Sequence, residues 1–202
     1  MTGRSLTRQE SQARTRAQLL GAGEAVFLDK GYHAASIELI ARSAGYTTGA
    51  VYSNFASKDE LALLVVEQKV GRLIVAIQAQ LAAAPPTIED RLGAIEVLLD
   101  TFFGEEEWIV FIAEFVLATR YRPVIRDQLV DRLDLGRQLL AGVLKEQHDQ
   151  VGIDLSIEPE RIAGALVGLA VGLAVMRLAD PSIDATTFTE SATLMLRHID
   201  GS

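Results

Sequence analysis

Apolar residues recur with a helical period along nearly the whole chain, and nowhere does an apolar–polar alternation bounded by hairpin turns suggest a strand. That regularity restricts the fold to an all-α body, and its interruptions divide the chain into about nine helices. The first is expected from Ser11 to Lys30, where Leu19, Ala22, Gly23, Val26 and Phe27 form one stripe and Gly31 supplies a stop. Ser36 can cap a short second helix with Ile37, Ile40, Ala41 and Ala44 on one face, ending at Gly45. A third short helix fits Thr47 to Asn54. The fourth opens with a capping box, Ser57-Lys58-Asp59-Glu60, and extends to about Ala83. Pro85 and Pro86 then break the chain, and Thr87 with Asp90 makes a second capping box ahead of a helix ending near Phe103. Further helices fit Glu105–Arg120, Pro123–His148, Pro159–Leu178 and Asp184–His198.

Composition narrows the function classes. With 49% apolar and 23% charged residues the chain can bury a core, and with no cysteine it has neither disulfides nor thiolate metal sites. His33, His148 and His198 are scattered, without the spacing of a zinc or di-iron helix pair. No Gly-rich phosphate loop follows a strand, so an enzyme is not expected, nor a cofactor or metal. Ala163–Met176 is apolar but shorter than the roughly 20 residues a membrane span needs, and is expected to be a buried helix. No apolar stretch follows the basic residues at the start, so the cytoplasm is the default location.

The net charge of −8 argues against nonspecific attraction to nucleic acid, but its distribution is uneven. Residues 1–58 hold seven Lys and Arg against four acids, a net of +3, and the remainder carries −11. Either a basic head meets a polyanion or an ordinary solvated tail happens to be basic. Within the head, residues 36–55 read as two short amphipathic helices around a turn at Gly45-Tyr46, the pattern of a helix-turn-helix whose second helix crosses a duplex major groove. Glycine suits that turn because it enters positive φ without steric cost.

The series Phe27, Gly31-Tyr32, Ser36-Ile37, Ile40-Ala41, Ala44-Gly45, Thr47-x-Gly49-x-x-Tyr52-x-x-Phe55 and Ser57-Lys58-x-x-Leu61 closely resembles the N-terminal domain of TetR-family transcriptional regulators over about residues 12–62. Beyond Leu61 only length and helix count suit that family's ligand-binding and dimerisation domain. Thr48 stands where the family often has lysine, and Ser53 where histidine is common, so no operator sequence carries over. The resemblance implies a DNA-binding domain over residues 1–60 and a helical ligand-binding and dimerisation domain over 61–202. Thr47, Thr48, Gly49 and Ala50 would lead the recognition helix, with short side chains that admit base edges and thymine methyl groups. Tyr52, Ser53 and Asn54 form the next outward group, with Tyr52 and Asn54 expected on phosphate and Asn54 alternatively on a base edge. Lys58, Ser36 and Arg42 are further phosphate candidates. Arg8, Arg14 and Arg16 are within reach of backbone or minor groove if the tail acts as a flexible arm. Val51 and Phe55 belong to the core.

Six aromatics fall between Phe102 and Tyr121, and Trp108, Phe111 and Phe115 share one helix face. Such a stripe is ordinarily core. The resemblance implies an effector cavity among the central helices, for which Phe102, Phe103, Trp108, Phe111, Phe115 and Tyr121 are the candidate lining. Glu114, set in FIAEFVLA, either orients a ligand or pairs internally with an arginine such as Arg120 or Arg177. Gly164, Gly168 and Gly172 line one helix face, at roughly 1 kcal/mol each in helix propensity. Close helix contact would offset that, either within the chain or in a homodimer through residues 159–178 and 184–198, as the family implies.

The resulting expectation is a homodimeric, small-molecule-responsive regulator, usually a repressor, that binds a palindromic double-stranded operator with no membrane partner. An activator or a constitutive architectural binder has the same sequence features. The alternative from another class is a helical small-molecule binding or sequestering protein with a vestigial helix-turn-helix, supported only by the lack of cations between Thr47 and Asn54.

Overall fold

The structure, a computed structural model, describes residues 7–85, 87–151 and 157–199. Pro86 and the side chains of His148 and His198, which figure in the reading above, lie outside the described residues. Among those residues there are nine helices and no strand: α1 (Arg8–Ala34), α2 (Ile37–Ala44), α3 (Thr48–Tyr52), α4 (Lys58–Ala83), α5 (Ile88–Gly104), α6 (Glu106–Thr119), α7 (Pro123–Val151), α8 (Pro159–Arg177) and α9 (Ala185–Ile199).

Most boundaries fall where caps and breakers put them. The largest shift is in α1, which begins earlier because Thr7 and Glu10 form a capping box, the Thr7 hydroxyl accepting from Glu10 N–H and the Glu10 carboxylate accepting from Thr7 N–H. Nor does α1 stop at Gly31. That residue takes φ 73° and ψ 172°, kinking the helix before a last turn through Tyr32 and His33. At α4, Ser57 Oγ accepts from Glu60 N–H at 3.1 Å and the Glu60 carboxylate accepts from Ala56 N–H at 2.6 Å.

The chain packs as two compact units. One joins the chain up to Gln68 to Val110–Leu129, and the other joins Lys69–Ile109 to the chain from Val130 onward. The core of the first unit is made by Leu19, Phe27, Ile40, Val51, Phe55, Leu61, Phe111 and Phe115, all at most 2% exposed. Its centre is aromatic: Phe27 stacks on Phe111 at 4.9 Å between centroids, and Tyr32 meets Phe115 at 4.9 Å. In the second unit α5 packs along α9. There Asp100 accepts the Ala185 N–H at 3.3 Å and pairs with Arg177 at 3.6 Å, while Glu96 accepts the Thr189 hydroxyl at 2.9 Å.

The apolar run inside α8 is not the buried helix its composition suggests. Only 17% of its apolar window is buried, and Val167, Val171, Val175 and Met176 are 37–59% exposed. Single-chain packing therefore leaves this face uncovered.

Candidate nucleic-acid interface

Three caps set the helix-turn-helix. Ser36 Oγ accepts from Leu39 N–H at 3.2 Å and starts α2. Gly45, at φ 73° and ψ 26°, ends α2 in the left-handed conformation and returns its N–H to the last turn. Thr47 Oγ1 accepts from Ala50 N–H at 3.2 Å and starts α3 two residues later. The turn is fixed further by Tyr46, whose N–H donates to Ala41 O and whose hydroxyl donates to Gln18 Oε1 at 2.7 Å.

With α3 so placed, Val51 points into the core and Thr47, Thr48, Gly49, Tyr52 and Ser53 are exposed, Tyr52 by 57%. Ala50 is half-buried and Arg42 exposed on α2. The fold thus brings the leading turn, Tyr52 and Ser53 to one open face, with Val51 and Phe55 inside as the sequence implied.

Several polar candidates are already engaged. Asn54 donates from Nδ2 to Ala50 O at 2.8 Å, and its Oδ1 is buried, so the amide faces inward rather than toward a base. Ser53 Oγ donates to Gly49 O at 2.8 Å. Lys58 is neither a free phosphate ligand nor merely solvated: Nζ donates to Tyr32 O at 2.8 Å and to Ala35 O at 3.0 Å, over the Tyr32 ring at 4.3 Å. It caps the carbonyl end of α1, which leaves one of its three N–H donors, and burial lowers its pKa. Arg16 belongs to α1 rather than a flexible arm. Its guanidinium donates to Asn54 O, lies over the Phe55 ring at 4.4 Å and pairs with Glu60 at 3.7 Å. Arg8 and Arg14 remain exposed on α1.

Beside this face lies a cluster that sequence reasoning missed. Arg122 Nη1 donates to both Asp59 carboxylate oxygens at 2.7 and 2.8 Å, Arg122 Nη2 donates to the Tyr32 hydroxyl at 2.9 Å, and that hydroxyl donates to Asp59. The ends of α1, α4 and the segment before α7 are tied at one point. Gly31-Tyr32 and Lys58-Asp59 stood out in the sequence, but nothing there links them to an arginine 63 residues beyond Asp59.

Burial, reinforced by the hydrogen bond to Asp59, pushes the Tyr32 phenol up to about 12. The unfolded phenol ionises near 10, so folding holds a proton that the unfolded chain loses above that pH. The contribution is complete below pH 10 and is lost as pH rises through about 12. A denaturant titration should therefore show stability falling over that window, with a shallower fall in Tyr32→Phe.

Glu114 pairs with neither Arg120 nor Arg177. Its Oε2 accepts the His33 N–H at 3.1 Å, and a methyl group on Gly31 would lie 2.7 Å from the same oxygen. The carboxylate caps the kinked end of α1, a backbone partner invisible to a search for arginines.

The aromatic candidates divide between the units. Phe111 and Phe115 are fully buried against α1, Tyr121 is 81% exposed with Arg120 5.4 Å above its ring, and Phe103 and Trp108 are buried in the second unit, with Phe102 half-buried. Phe111 and Phe115 are thus core contacts, and Tyr121 faces solvent. A polar groove of about 480 Å³ in the second unit is lined by Asp134, Arg137, Gln138, Glu160, Arg161 and Gly164, and by none of these aromatics.

Residues 19–65 match the family model described as bacterial regulatory proteins of the tetR family. Over 85 residues the chain is 36% identical to the HTH-type transcriptional activator FasR of Mycolicibacterium smegmatis, an alignment covering 42% of this chain and 39% of FasR. It is 28% identical over 181 residues to the HTH-type transcriptional regulator PksA of Bacillus subtilis, covering 87% and 84% of the two. Among solved structures, the transcriptional regulator FadR of Bacillus subtilis in complex with stearoyl-CoA superposes with a TM-score of 0.66 at 19% identity, over 89% of this chain and 96% of FadR. The match to FasR therefore spans less than half of that relative's length.

Proposed function

This chain is a TetR-family transcriptional regulator, and we propose that it binds a palindromic operator as a homodimer, represses by occupying it, and is released by a small-molecule effector. The observation that carries the reading is α3, whose Val51 side is buried while Thr47, Thr48, Gly49, Tyr52 and Ser53 stand open to solvent. A vestigial helix-turn-helix has no need of three separate caps at Ser36, Gly45 and Thr47. Two copies of α3 would enter successive major grooves about 34–36 Å apart. The DNA-binding part is assigned to residues 1–60 and the effector and dimer functions to 61–202.

Support for the dimer comes from α8. A Cβ on Gly168 or on Gly172 would meet nothing within 4 Å, and one on Gly164 only Arg137 Cδ at 3.8 Å. An intramolecular crossing therefore does not account for the two later glycines. A second chain against α8 and α9 does, and would cover the exposed valines together with Leu194 and Met195.

Electrophoretic mobility shift with DNA from upstream of the protein's own coding region tests the reading. Loss of the shifted band on titrating effectors would show release, and acyl-CoA thioesters are the first to try, given the FadR complex. An effector acts only through a preference for the released state. Tyr52→Phe should weaken binding about thirtyfold, since a homodimer loses two hydroxyl–phosphate hydrogen bonds worth about 1 kcal/mol each. Unchanged affinity would remove that hydroxyl from the interface. Because FasR is an activator, activation is the second reading. Run-off transcription decides it: repression lowers, and activation raises, transcript from an operator-bearing promoter.

A further inference from the structure

The hydrogen bonds inside the helix-turn-helix restrict how it can read bases, an inference that rests on the DNA-binding reading above. Strong discrimination of guanine or adenine in the major groove uses a bidentate fork, from a guanidinium or a side-chain amide. Between Thr47 and Phe55 the sequence offers one such group, the Asn54 amide, and the structure turns it inward with Nδ2 on Ala50 O and Oδ1 buried. Two neighbouring cations are engaged too, while Arg42 on α2 stays exposed. The Arg16 guanidinium lies on Phe55 and Asn54 O, and Lys58 on the carbonyls of Tyr32 and Ala35. Thr47 Oγ1 caps α3 and Ser53 Oγ donates to Gly49 O.

The leading turn is then Thr48 and Gly49, both exposed, and the half-buried Ala50. The groups it can offer are the Thr48 γ-methyl and hydroxyl, a bare Cα and the partly accessible Ala50 methyl. Gly49 carries no side chain to hold the helix off the groove: a Cβ there would meet nothing nearer than Thr47 Oγ1 at 3.7 Å. Apolar groups pressed close to the major-groove floor recognise the thymine C5-methyl, which no other unmodified base carries.

We propose that base recognition by this protein is a thymine-methyl readout, made by the methyl groups of Thr48 and Ala50, with no bidentate contact to guanine or adenine from α3. Phosphate contacts would supply affinity and register without adding to the code.

The test begins by selecting duplexes from a random-sequence pool with the intact protein, then resynthesising the enriched duplex with deoxyuridine for thymidine at single half-site positions. Burial of one methyl group corresponds to about fourfold in affinity, so replacing the symmetry-related pair in a palindrome should weaken binding about fifteenfold. Thr48→Ser keeps the hydroxyl and removes the methyl at an exposed helix start; it should shrink that thymine-to-uracil ratio toward one. A ratio of one with the parent protein, or a ratio unchanged by Thr48→Ser, would overturn the proposal. So would a tenfold or greater loss when 7-deazaguanine replaces a half-site guanine, since that marks a fork on guanine N7. Failure to enrich any duplex would instead remove the DNA-binding reading itself, which separates the two failures.

Discussion

Replacing Arg122 by alanine is expected to lower unfolding free energy by about 2–4 kcal/mol, toward the lower end because the guanidinium is partly exposed. The substitution removes four donated hydrogen bonds at once, two to Asp59, one to the Tyr32 hydroxyl and one from Nε to Ala118 O, and leaves a carboxylate 17% exposed without its cation. Tyr32 then loses the partner that offsets its burial beside Asp59. Asp59 sits in the first turn of α4, where the helix dipole favours a carboxylate, so part of its stabilisation survives. Urea titration of Arg122→Ala gives the difference directly. Asp59→Asn in the same background should restore part of it, by removing the unpaired charge while keeping a hydrogen-bonding group for Tyr32. Equal stability of the single and double variants would mean that the cluster is not organised around that charge. Operator affinity should fall in Arg122→Ala although Arg122 is no part of the DNA-facing set, because the cluster fixes the α4 turn next to α3.

How much of this was legible beforehand differs by residue, and the difference has a physical basis. Periodicity and caps are local, so α2 between Ser36 and Gly45, the α3 start at Thr47 and the inward Val51 and Phe55 could all be read from neighbours in the chain. The same locality explains why Phe111 and Phe115 were recognised as one helix face yet not as the partners of Phe27 and Tyr32: a stripe shows which side is apolar and not what it packs against. Lys58, Arg16 and Glu114 were harder for another reason. Each bonds to a backbone carbonyl or amide left free at a helix end, and such groups have no residue-type signature. Charge counting offered Lys58 to phosphate and Glu114 to an arginine, whereas the terminus of α1 takes both. The α8 run looks like core because composition reports apolarity and not whether the rest of the chain covers it.

The second large effect is expected at α8, where Gly168→Leu should convert the proposed dimer to monomer in sedimentation velocity and weaken operator binding by about 10²–10⁴, the factor that linking two half-site contacts supplies. Neither Gly168 nor Gly172 has a neighbour within 4 Å of a Cβ, and the valines alongside them, Val167, Val171 and Val175, are exposed on successive turns. In a close helix pair across the dimer axis a leucine at Gly168 would force the axes apart and strip contacts from those valines. Gly168→Ala separates this from an effect on folding. In the single chain the methyl enters open space, so thermal stability measured at a concentration where the protein is monomeric should hold or rise by up to about 1 kcal/mol from helix propensity. The same substitution should weaken the dimer, since two methyl groups then meet across the axis. An intramolecular role for the glycine predicts the reverse pattern, with monomer stability falling and the dissociation constant unchanged. A Gly168→Leu protein that still sediments as a dimer would move the interface off this face of α8 and leave the three glycines to be accounted for some other way.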